Sequence, residues 1–316
     1  MEPIRLRRME SNDRSEVAEL ICVSTNYWYQ LHGMPKTFTA GAASTEVFFD
    51  VYEALDPGCG VVAENERTGR LVGSCFFPPR EHHVSLGIMN VHPNYFGQGV
   101  AKAILNHIVD YTQSHGDHAA HGAPALRLTQ SALNLDSFSL YTRAGFVPRY
   151  AYQDMILDVP ETGFQHTVPD REHVRRATLD DAAAMAALEM EVAGISREKD
   201  YRYAIENREG IWDARICQRQ DGPIDGFMIS VKHPAFRMLG PCVARTQEQA
   251  AALVAAALDR FRGGGVVFLA PVECDRLVHT LYAWGARNCE LHFCQVRGRF
   301  QPFRGVNMPT FLPETG

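Results

Sequence analysis

The chain lacks the sequence patterns of disulfide-rich, membrane-spanning, exported and nucleic-acid-binding proteins. Its eight cysteines include no Cys-x-x-Cys pair and mostly stand among apolar neighbours, which indicates reduced, packed thiols. No uncharged apolar run reaches the length of a membrane span, and the first eight residues have no apolar core of an export signal. Positive charge is not in excess, because the net charge is −6, and this excludes the electrostatic footprint of nucleic-acid binding. We therefore expect a cytoplasmic protein that binds neither a membrane nor nucleic acid.

The sequence contains enough material for two domains, and its two halves share one plan. There are 316 residues, of which 46% are hydrophobic and 22% are charged. Each half opens with a short strand, which is followed by the capping-box pattern Asp13–Glu16 in the first half and by Thr178–Asp181 ahead of a helix in the second. Hairpins and strand–loop–helix units follow at an offset of roughly 140 residues. The pattern predicts an α/β fold with mixed sheets, built from domains 1–158 and 173–316 and a polar linker over 159–172.

The most informative stretch is Ile88–Lys102. An apolar strand ends at Pro93, the chain passes through Gly97 and Gly99, and an amphipathic helix follows. This order predicts several backbone N–H groups that converge on one place, with a helix N-terminus behind them. Such an arrangement is typical of a binding site for phosphate oxygens.

The second half has no counterpart of this glycine turn. Where the first half continues from Pro93 to Ala101, the second half reads Arg245-Thr-Gln-Glu-Gln. Its helix is predicted to start directly at Thr246 as an N-cap. Without glycines the backbone cannot approach a pyrophosphate as closely. The second copy is therefore predicted to have lost cofactor binding and to be structural or to contribute to the acceptor site.

Together with a second motif, Asn134–Phe146, the glycine loop resembles the GNAT N-acetyltransferase superfamily. Members transfer acyl groups from acyl-coenzyme A to amines. The second motif has the family's Asn134, a small residue three positions on, Leu-Tyr141, and Gly-Phe four residues after the tyrosine. The resemblance covers roughly residues 1–158 and implies two tandem GNAT-like domains, of which the second is degenerate. The family usually begins its loop with Arg or Gln where this chain has Phe96, which we expect to weaken the cofactor site only modestly.

The resemblance implies acetyl-CoA as co-substrate, and it implies roles for particular residues. Met89 and Val91 would lie beside the thioester and pantetheine arm, and Tyr141 would protonate the leaving thiolate. The residues expected to bind the cofactor are Met89, Val91, Phe96, Gly97, Gln98, Gly99, Val100, Ala101, Lys102, Asn134 and Ser137.

A general base is expected because an amine with a lysine-like pKa is neutral to only about one part in 10³ at pH 7. Strand alternation from Glu81 to Met89 places His83 beside the cofactor, and Glu81 on the same face is the second candidate. A proton relayed by water, with both residues exposed at a strand edge, is the alternative. The aromatic residues Tyr27, Trp28 and Tyr29 are candidates for the acceptor pocket, although core packing would also explain them.

Two further patterns are interpreted without a functional role. The histidines and aspartate between His115 and His121 have metal-like spacing, but they fall in a predicted solvated loop, so no metal site is predicted. The segment Leu312–Gly316 matches a cell-wall sorting pentapeptide, which we interpret as coincidental or as an added tag.

The sequence thus predicts an N-acetyltransferase that acts on the primary amine of a small molecule by direct attack in a ternary complex. Two alternatives stay open, namely an enzyme that acetylates proteins or peptides and a non-catalytic acyl-CoA sensor. A homodimer is also left open.

Overall fold

The computed structural model of the protein consists of two compact units. It describes residues 3–115, 125–220 and 222–314. Of these, the first unit holds residues 3–79, 83–115, 125–128 and 311–314, and the second unit holds residues 80–82, 129–220 and 222–310. Helices and both parallel and antiparallel strand pairs occur, which confirms the predicted α/β fold with mixed sheets.

The first unit contains a four-stranded antiparallel sheet and three helices. Its elements are β1 (Ile4–Arg8), α1 (Arg14–Leu31), α2 (Glu46–Leu55), β2 (Gly60–Asn65), β3 (Leu71–Phe76), β4 (His83–Ser85), β5 (Met89–Val91), α3 (Val100–His115) and the first four residues of β6 (Ala125–Ser131). The sheet has the order β1-β2-β3-β5. Outside it, β4 pairs in parallel with β6.

Helices cover both faces of this sheet. α3 packs on β3 at Gly73, where a Cβ atom would lie 2.7 Å from Val100 Cγ1 and 2.9 Å from Ile104 Cδ1. Phe76 is three residues further along β3 and faces the other side. Its ring stacks on that of Tyr52 in α2, with the centroids 4.5 Å apart. The first unit therefore has α3 on one face of its sheet and α2 on the other.

The second unit contains a long sheet flanked by helices. Its elements are the last three residues of β6, α4 (Leu135–Arg143), β7 (Val147–Val159), β8 (Val174–Arg176), α5 (Ala182–Ala193), α6 (Glu198–Glu206), β9 (Trp212–Gln218), β10 (Ile224–His233), β11 (Phe236–Ala244), α7 (Gln247–Leu258), β12 (Gly264–Pro271), α8 (Asp275–Ala283), β13 (Arg287–Arg297) and β14 (Val306–Met308). The strand order is β6-β13-β7-β12-β11-β10-β9-β8, with β14 paired to β11.

The position of β7 was not predicted. This strand comes from the first half of the sequence, yet it lies between β12 and β13 and pairs with both in antiparallel orientation. Val159 is paired with Gly264 and Tyr152 with Pro271, while the other edge of β7 pairs Ile156 with Arg287. The compact units consequently do not divide at residues 158–172, and the boundaries given above remain a prediction about the two family domains.

The repeated plan of the two halves is visible where each begins. Arg7 donates to both carboxylate oxygens of Asp13 at 2.7 and 2.8 Å, and Arg175 makes the same pair of bonds to Asp181 at 2.8 Å. In the second half, Thr178 and Asp181 form a capping box. In the first half the prediction was wrong by three residues, because Asp13 closes the box with Glu10 rather than opening one with Glu16.

Candidate active site

The glycine loop of the first unit leads into α3 by a sequence of tight turns. After β5, Pro93–Tyr95 forms a short 3₁₀ turn, and Gly97 and Gly99 adopt φ angles of +73° and +83°. Residues other than glycine rarely adopt these angles. The Gly99 carbonyl accepts the N–H of Ala103 at 3.0 Å, so the helix begins immediately after the loop.

The start of α3 leaves a row of main-chain donors open. Within the described residues, the N–H groups of Gly97, Gly99 and Val100–Lys102 have no hydrogen-bond acceptor. A Cβ atom at Gly97 or Gly99 would meet no protein atom within 4 Å. Space, open donors and a helix N-terminus therefore coincide, which is the arrangement that binds an anion such as a pyrophosphate.

The corresponding helix of the second half begins in a closed form. Thr246 Oγ1 accepts the N–H of Gln249 at 3.3 Å, and Gln249 Oε1 accepts the N–H of Thr246 at 3.0 Å. This capping box confirms Thr246 as the N-cap of α7. The main-chain N–H groups of Thr246 and Gln249 at the start of α7 thus donate to side chains of the same two residues. Among the described residues, the main-chain N–H groups at the start of α3 have no such acceptors.

The chain changes partner strands between β4 and β5. Leu86 N–H still donates to Arg127 O on β6 at 2.7 Å, but Gly87 N–H donates to Phe76 O on β3 at 2.8 Å. Beyond this point β5 pairs with β3, with Met89 opposite Cys75 and Val91 opposite Gly73. Among the described residues no pairing joins β5 to β6. The edge of β5 that faces away from β3, beside Met89 and Val91, is where an extended pantetheine arm would bind through main-chain hydrogen bonds.

The two candidate bases have different surroundings. His83 is only 2% exposed, and its Nε2 lies 3.1 Å from Ser85 Oγ. Glu81 belongs to the second unit, its side chain is 65% exposed, and its carboxylate accepts a hydrogen bond from Ser196 Oγ at 2.9 Å. His83 is therefore not an exposed residue, and Glu81 is exposed but precedes β4 instead of lying within a strand.

The second motif of the sequence lies at the start of α4 in the second unit. Asn134 Oδ1 accepts the N–H of Ser137 at 3.0 Å, and Ser137 Oγ donates to Gln130 Oε1 at 2.5 Å. The Oδ1 atom of Asn134 therefore caps the helix. Tyr141 is 7% exposed, and its ring centroid lies 5.7 Å from that of Phe146. By contrast, Tyr282 at the matching position of the second half is 44% exposed.

The three aromatic candidates for the acceptor pocket divide into two groups. Tyr27 is 44% exposed, and its ring lies 6.1 Å from that of Phe96 in the glycine loop. Trp28 instead stacks on His32 at 4.1 Å and contacts Tyr29 edge-on at 5.1 Å. Tyr27 therefore lies beside the loop, and Trp28 and Tyr29 pack against each other.

Asn90, which lies between Met89 and Val91, was not predicted from the sequence as a site residue. The residue is 6% exposed, and its Oδ1 accepts hydrogen bonds from Ser24 at 2.6 Å and Thr25 at 3.2 Å. Its Nδ2 has no acceptor among the described residues. A buried donor of this kind is available to a ligand. The available signal was a single polar residue within an apolar strand.

A cluster of titratable groups lies between β7 and β13 in the second unit. Asp154 Oδ2 is 3.7 Å from His292 Nδ1, and Glu290 Oε1 is 3.6 Å from His292 Nε2. Burial, together with the charge of Glu290, raises the pKa of Asp154 to about 8, and burial lowers the pKa of His292 to about 4. Ser131 Oγ donates to Glu290 at 2.6 Å.

These three side chains are types that can ligate a divalent metal, and donor atoms from all three lie within 4.8 Å of one another. The two carboxylates, however, lie beside different nitrogens of the imidazole. The prediction of no metal remains a prediction. Asp117, His118 and His121 lie outside the described residues.

Two family models match the sequence. The acetyltransferase (GNAT) family model matches residues 25–146, and a model of an acetyltransferase (GNAT) domain matches residues 185–293. The two matches fall in the two halves and together cover most of the chain. The chain therefore belongs to the GNAT acetyltransferases as a tandem member, and it is an acyltransferase.

Solved structures agree with this assignment of the fold. A protein of Pyrococcus horikoshii assigned to the acetyltransferases is 12% identical with a TM-score of 0.74, covering 99% of this chain and 96% of that one. A GCN5-related N-acetyltransferase from Sphaerobacter thermophilus is 16% identical with a TM-score of 0.62, covering 96% and 98%. A tandem GNAT protein from the clavulanic acid biosynthesis pathway is 13% identical with a TM-score of 0.60, covering 93% and 98%. Such low identities show the fold alone.

A match to a curated protein is short. It joins the chain to the UPF0157 protein YqkA of Bacillus subtilis at 26% identity over 80 residues. These residues are 25% of this chain and 21% of that protein.

In the described part of the chain, no helix combines the length and apolar character that a bilayer crossing requires.

Proposed function

We propose that this acyltransferase moves an acetyl group from acetyl-CoA to the primary amine of a small molecule, with the donor bound by the first unit. The observation that carries the proposal is the row of open amides at the start of α3, set against the capped start of α7. A pyrophosphate would accept hydrogen bonds from Gly97, Gly99 and Val100–Lys102. The pantetheine arm would lie along the edge of β5 that faces away from β3, at Met89 and Val91.

The reaction requires that the amine lose a proton before it attacks the thioester carbonyl. At pH 7 the neutral fraction of an alkylamine corresponds to about 4–5 kcal/mol of unfavourable free energy, so a nearby base is valuable. His83 is buried in the first unit, close to the residues where the chain leaves β4 and enters β5. It remains our candidate base from the sequence, and Glu81 is weaker because its side chain is exposed.

The departing thiolate must receive a proton. Tyr141 is proposed as the donor, because its side chain is largely removed from water and α4 holds it in place. In water a phenol is the weaker acid, with a pKa of about 10 against about 8.5 for a thiol. A site that excludes water raises the proton affinity of the thiolate and offsets this difference.

The acceptor is proposed to be a small amine. The tandem GNAT protein of the clavulanic acid pathway shows that this architecture occurs beside small-molecule chemistry. We place the reaction in the cytoplasm, because all eight cysteines are free thiols.

Thiol release provides the test. Purified protein and acetyl-CoA are incubated with pools of small amines and, separately, of peptides, while free coenzyme A is measured. Release with small amines supports the proposal, whereas release with peptides alone supports a protein or peptide acetyltransferase. Titration calorimetry with coenzyme A is run in parallel. Binding without transfer to any pool supports a sensor, and absence of binding contradicts the donor site.

A further inference from the structure

A buried arginine of the first unit lacks a counter-charge. Arg127 lies in β6 and is only 3% exposed. Among the described residues, its guanidinium has no carboxylate partner, and its buried Nη1 has no hydrogen-bond acceptor. An arginine keeps its positive charge in proteins, and a charge is rarely buried unless a partner neutralises it. The position of Arg127 therefore calls for an anion that the described chain does not supply.

The protein does supply carboxylates to the other buried arginines of the described residues. Both lie in the second unit. Arg197 Nη2 is 2.6 Å from Glu189 Oε1, and Arg80 Nη2 is 2.8 Å from Asp200 Oδ2. A buried guanidinium is thus paired with a carboxylate of the chain itself in two cases, and Arg127 is the exception.

Arg127 lies where the chain changes partner strands. The parallel register of β4 and β6 places it beside Ser85. The Leu86 N–H still donates to Arg127 O at 2.7 Å, whereas the N–H of the next residue, Gly87, donates to β3 at 2.8 Å. Two residues later β5 begins at Met89, which we propose to border the pantetheine arm. Arg127 is consequently close to the proposed position of the thioester.

Arg127 shares a face of the strands with the candidate base. Paired residues of neighbouring strands direct their side chains to the same face, so Arg127 lies on the face of Ser85. The Oγ atom of Ser85 is 3.1 Å from His83 Nε2. Gly87, two residues after Ser85, continues this face, and a Cβ atom there would lie 2.8 Å from Tyr52 Oη in α2. The face is therefore the one that α2 covers, opposite to α3.

Asn90 places a second buried hydrogen-bond donor on the α2 face. It pairs with Ser74, which is two residues before Phe76, and the Phe76 ring stacks on Tyr52 of α2. Its Nδ2 has no acceptor among the described residues. The phosphates of acetyl-CoA are proposed to bind at the start of α3, which leaves the α2 face for the amine. Two buried donor groups without acceptors thus lie on the face that is left for the amine.

We infer that Arg127 binds a carboxylate of the acceptor, so that the small amine is an amino acid. The inference rests on the proposed function and names the class of its acceptor. A guanidinium presents parallel N–H groups that match the two oxygens of a carboxylate. One positive charge neutralises one carboxylate, whereas a phosphate group carries a charge of about −1.5 to −2 at pH 7. Arg127 would hold the carboxylate while the amine nitrogen faces the thioester, which makes it a specificity-determining residue.

The test compares an amino acid with its carboxamide, which keeps the shape and removes the negative charge. With the most active amino acid of the thiol-release screen, we expect Arg127→Gln to lower kcat/KM about 10²- to 10³-fold. With the carboxamide, the same variant should differ from the wild type by less than about fivefold. Each comparison uses one substrate, so the different basicities of the two amines cancel. Arg5→Gln, at an exposed arginine of β1 on the far edge of the first sheet, should leave kcat/KM for both substrates unchanged.

Melting temperatures provide a readout that does not depend on turnover. A buried charge without a partner disfavours folding, so Arg127→Met should melt no lower than the wild type. In the presence of coenzyme A, the amino acid should raise the melting temperature of the wild type but not that of Arg127→Met. A purely structural role of Arg127 predicts the opposite, namely a variant that melts lower and loses activity with both substrates.

The inference is overturned if amino acids are not substrates while other amines are, if Arg127→Gln affects amino acid and carboxamide equally, or if Arg127→Met melts lower than the wild type. A carboxylate on the acyl group of the donor is the other source of such an anion. Preference of the wild type for succinyl-CoA over acetyl-CoA, lost in Arg127→Gln, would therefore also overturn the assignment to the acceptor. Acetyl transfer by the wild type in any of these cases would leave the proposed function standing, and absence of transfer would remove both.

Discussion

The carboxyl group of Asp154 makes the stability of the protein depend on pH in a direction opposite to that of most acids. Its pKa of about 8 in the folded protein compares with an ordinary value of 3.8. Between these values the unfolded chain has lost the proton while the folded chain retains it. The unfolded state then binds fewer protons, and the free energy of unfolding falls as the pH rises. Stability associated with this proton is complete below about pH 4 and is lost by about pH 8.

The magnitude can be worked out for a window in which the neighbouring histidine does not interfere. His292, with a pKa of about 4 in the folded state, affects stability only below its unfolded value near 6.5. Each pH unit changes the contribution of Asp154 by at most about 1.4 kcal/mol. From pH 6.5 to 8.0, with the slope declining near the upper end, we expect a loss of about 1.5 kcal/mol.

Urea denaturation at pH 6.5 and 8.0 measures this loss. Asp154→Asn carries no titrating proton and should be free of it, so the variant should differ less between the two pH values than the wild type. Asp158→Asn, on the same strand with a 60% exposed side chain, serves as the control and should behave like the wild type. Equal pH dependence in the wild type and Asp154→Asn would refute the reasoning.

Three further changes test the donor loop, the proton donor and the interior. Gly99→Ala places a side chain at φ +83° without a clash and should weaken coenzyme A binding about 5- to 30-fold in calorimetry, whereas Gly69→Ala, equally strained at +69° in a distant turn, should not. Tyr141→Phe should lower kcat far more than donor affinity, and unchanged kcat would exclude it as proton donor. Glu189→Gln should lower the free energy of unfolding by about 3–5 kcal/mol in urea titrations, because it leaves the buried Arg197 guanidinium without its charged partner at 2.6 Å; a loss below about 1 kcal/mol would contradict this.

Local features of the chain were predictable from the sequence because their causes are local. Glycines at 97 and 99 require positive φ angles, and Thr246 with Gln249 forms a capping box within four residues. The place of β7 was not predictable in this way. Its apolar residues indicate a strand, but they do not specify that its partners lie more than a hundred residues further along the chain.

The candidate site shows the same difference between local features, which could be predicted, and long-range contacts, which could not. The glycine loop and the position of Tyr141 followed from motifs whose spacing is fixed by one turn and one helix. Asn90 was not predicted because its side-chain contacts with Ser24 and Thr25 join residues 66 and 65 positions apart, and no periodicity reports such contacts. His83 was chosen from strand alternation, which holds only as far as Ser85 because β4 ends there.

The insertion of β7 between β12 and β13 has a consequence for how the protein is made. This strand leaves the ribosome well before either neighbouring strand has been synthesised. The main-chain N–H and C=O groups along both of its edges stay exposed until then. Unprotected edges invite pairing with other chains. In a protein truncated in the connection after β7, both edges of this strand would stay exposed permanently. Such a product should depend on chaperones or accumulate as aggregates. Co-expression of the missing part of the chain should restore its solubility.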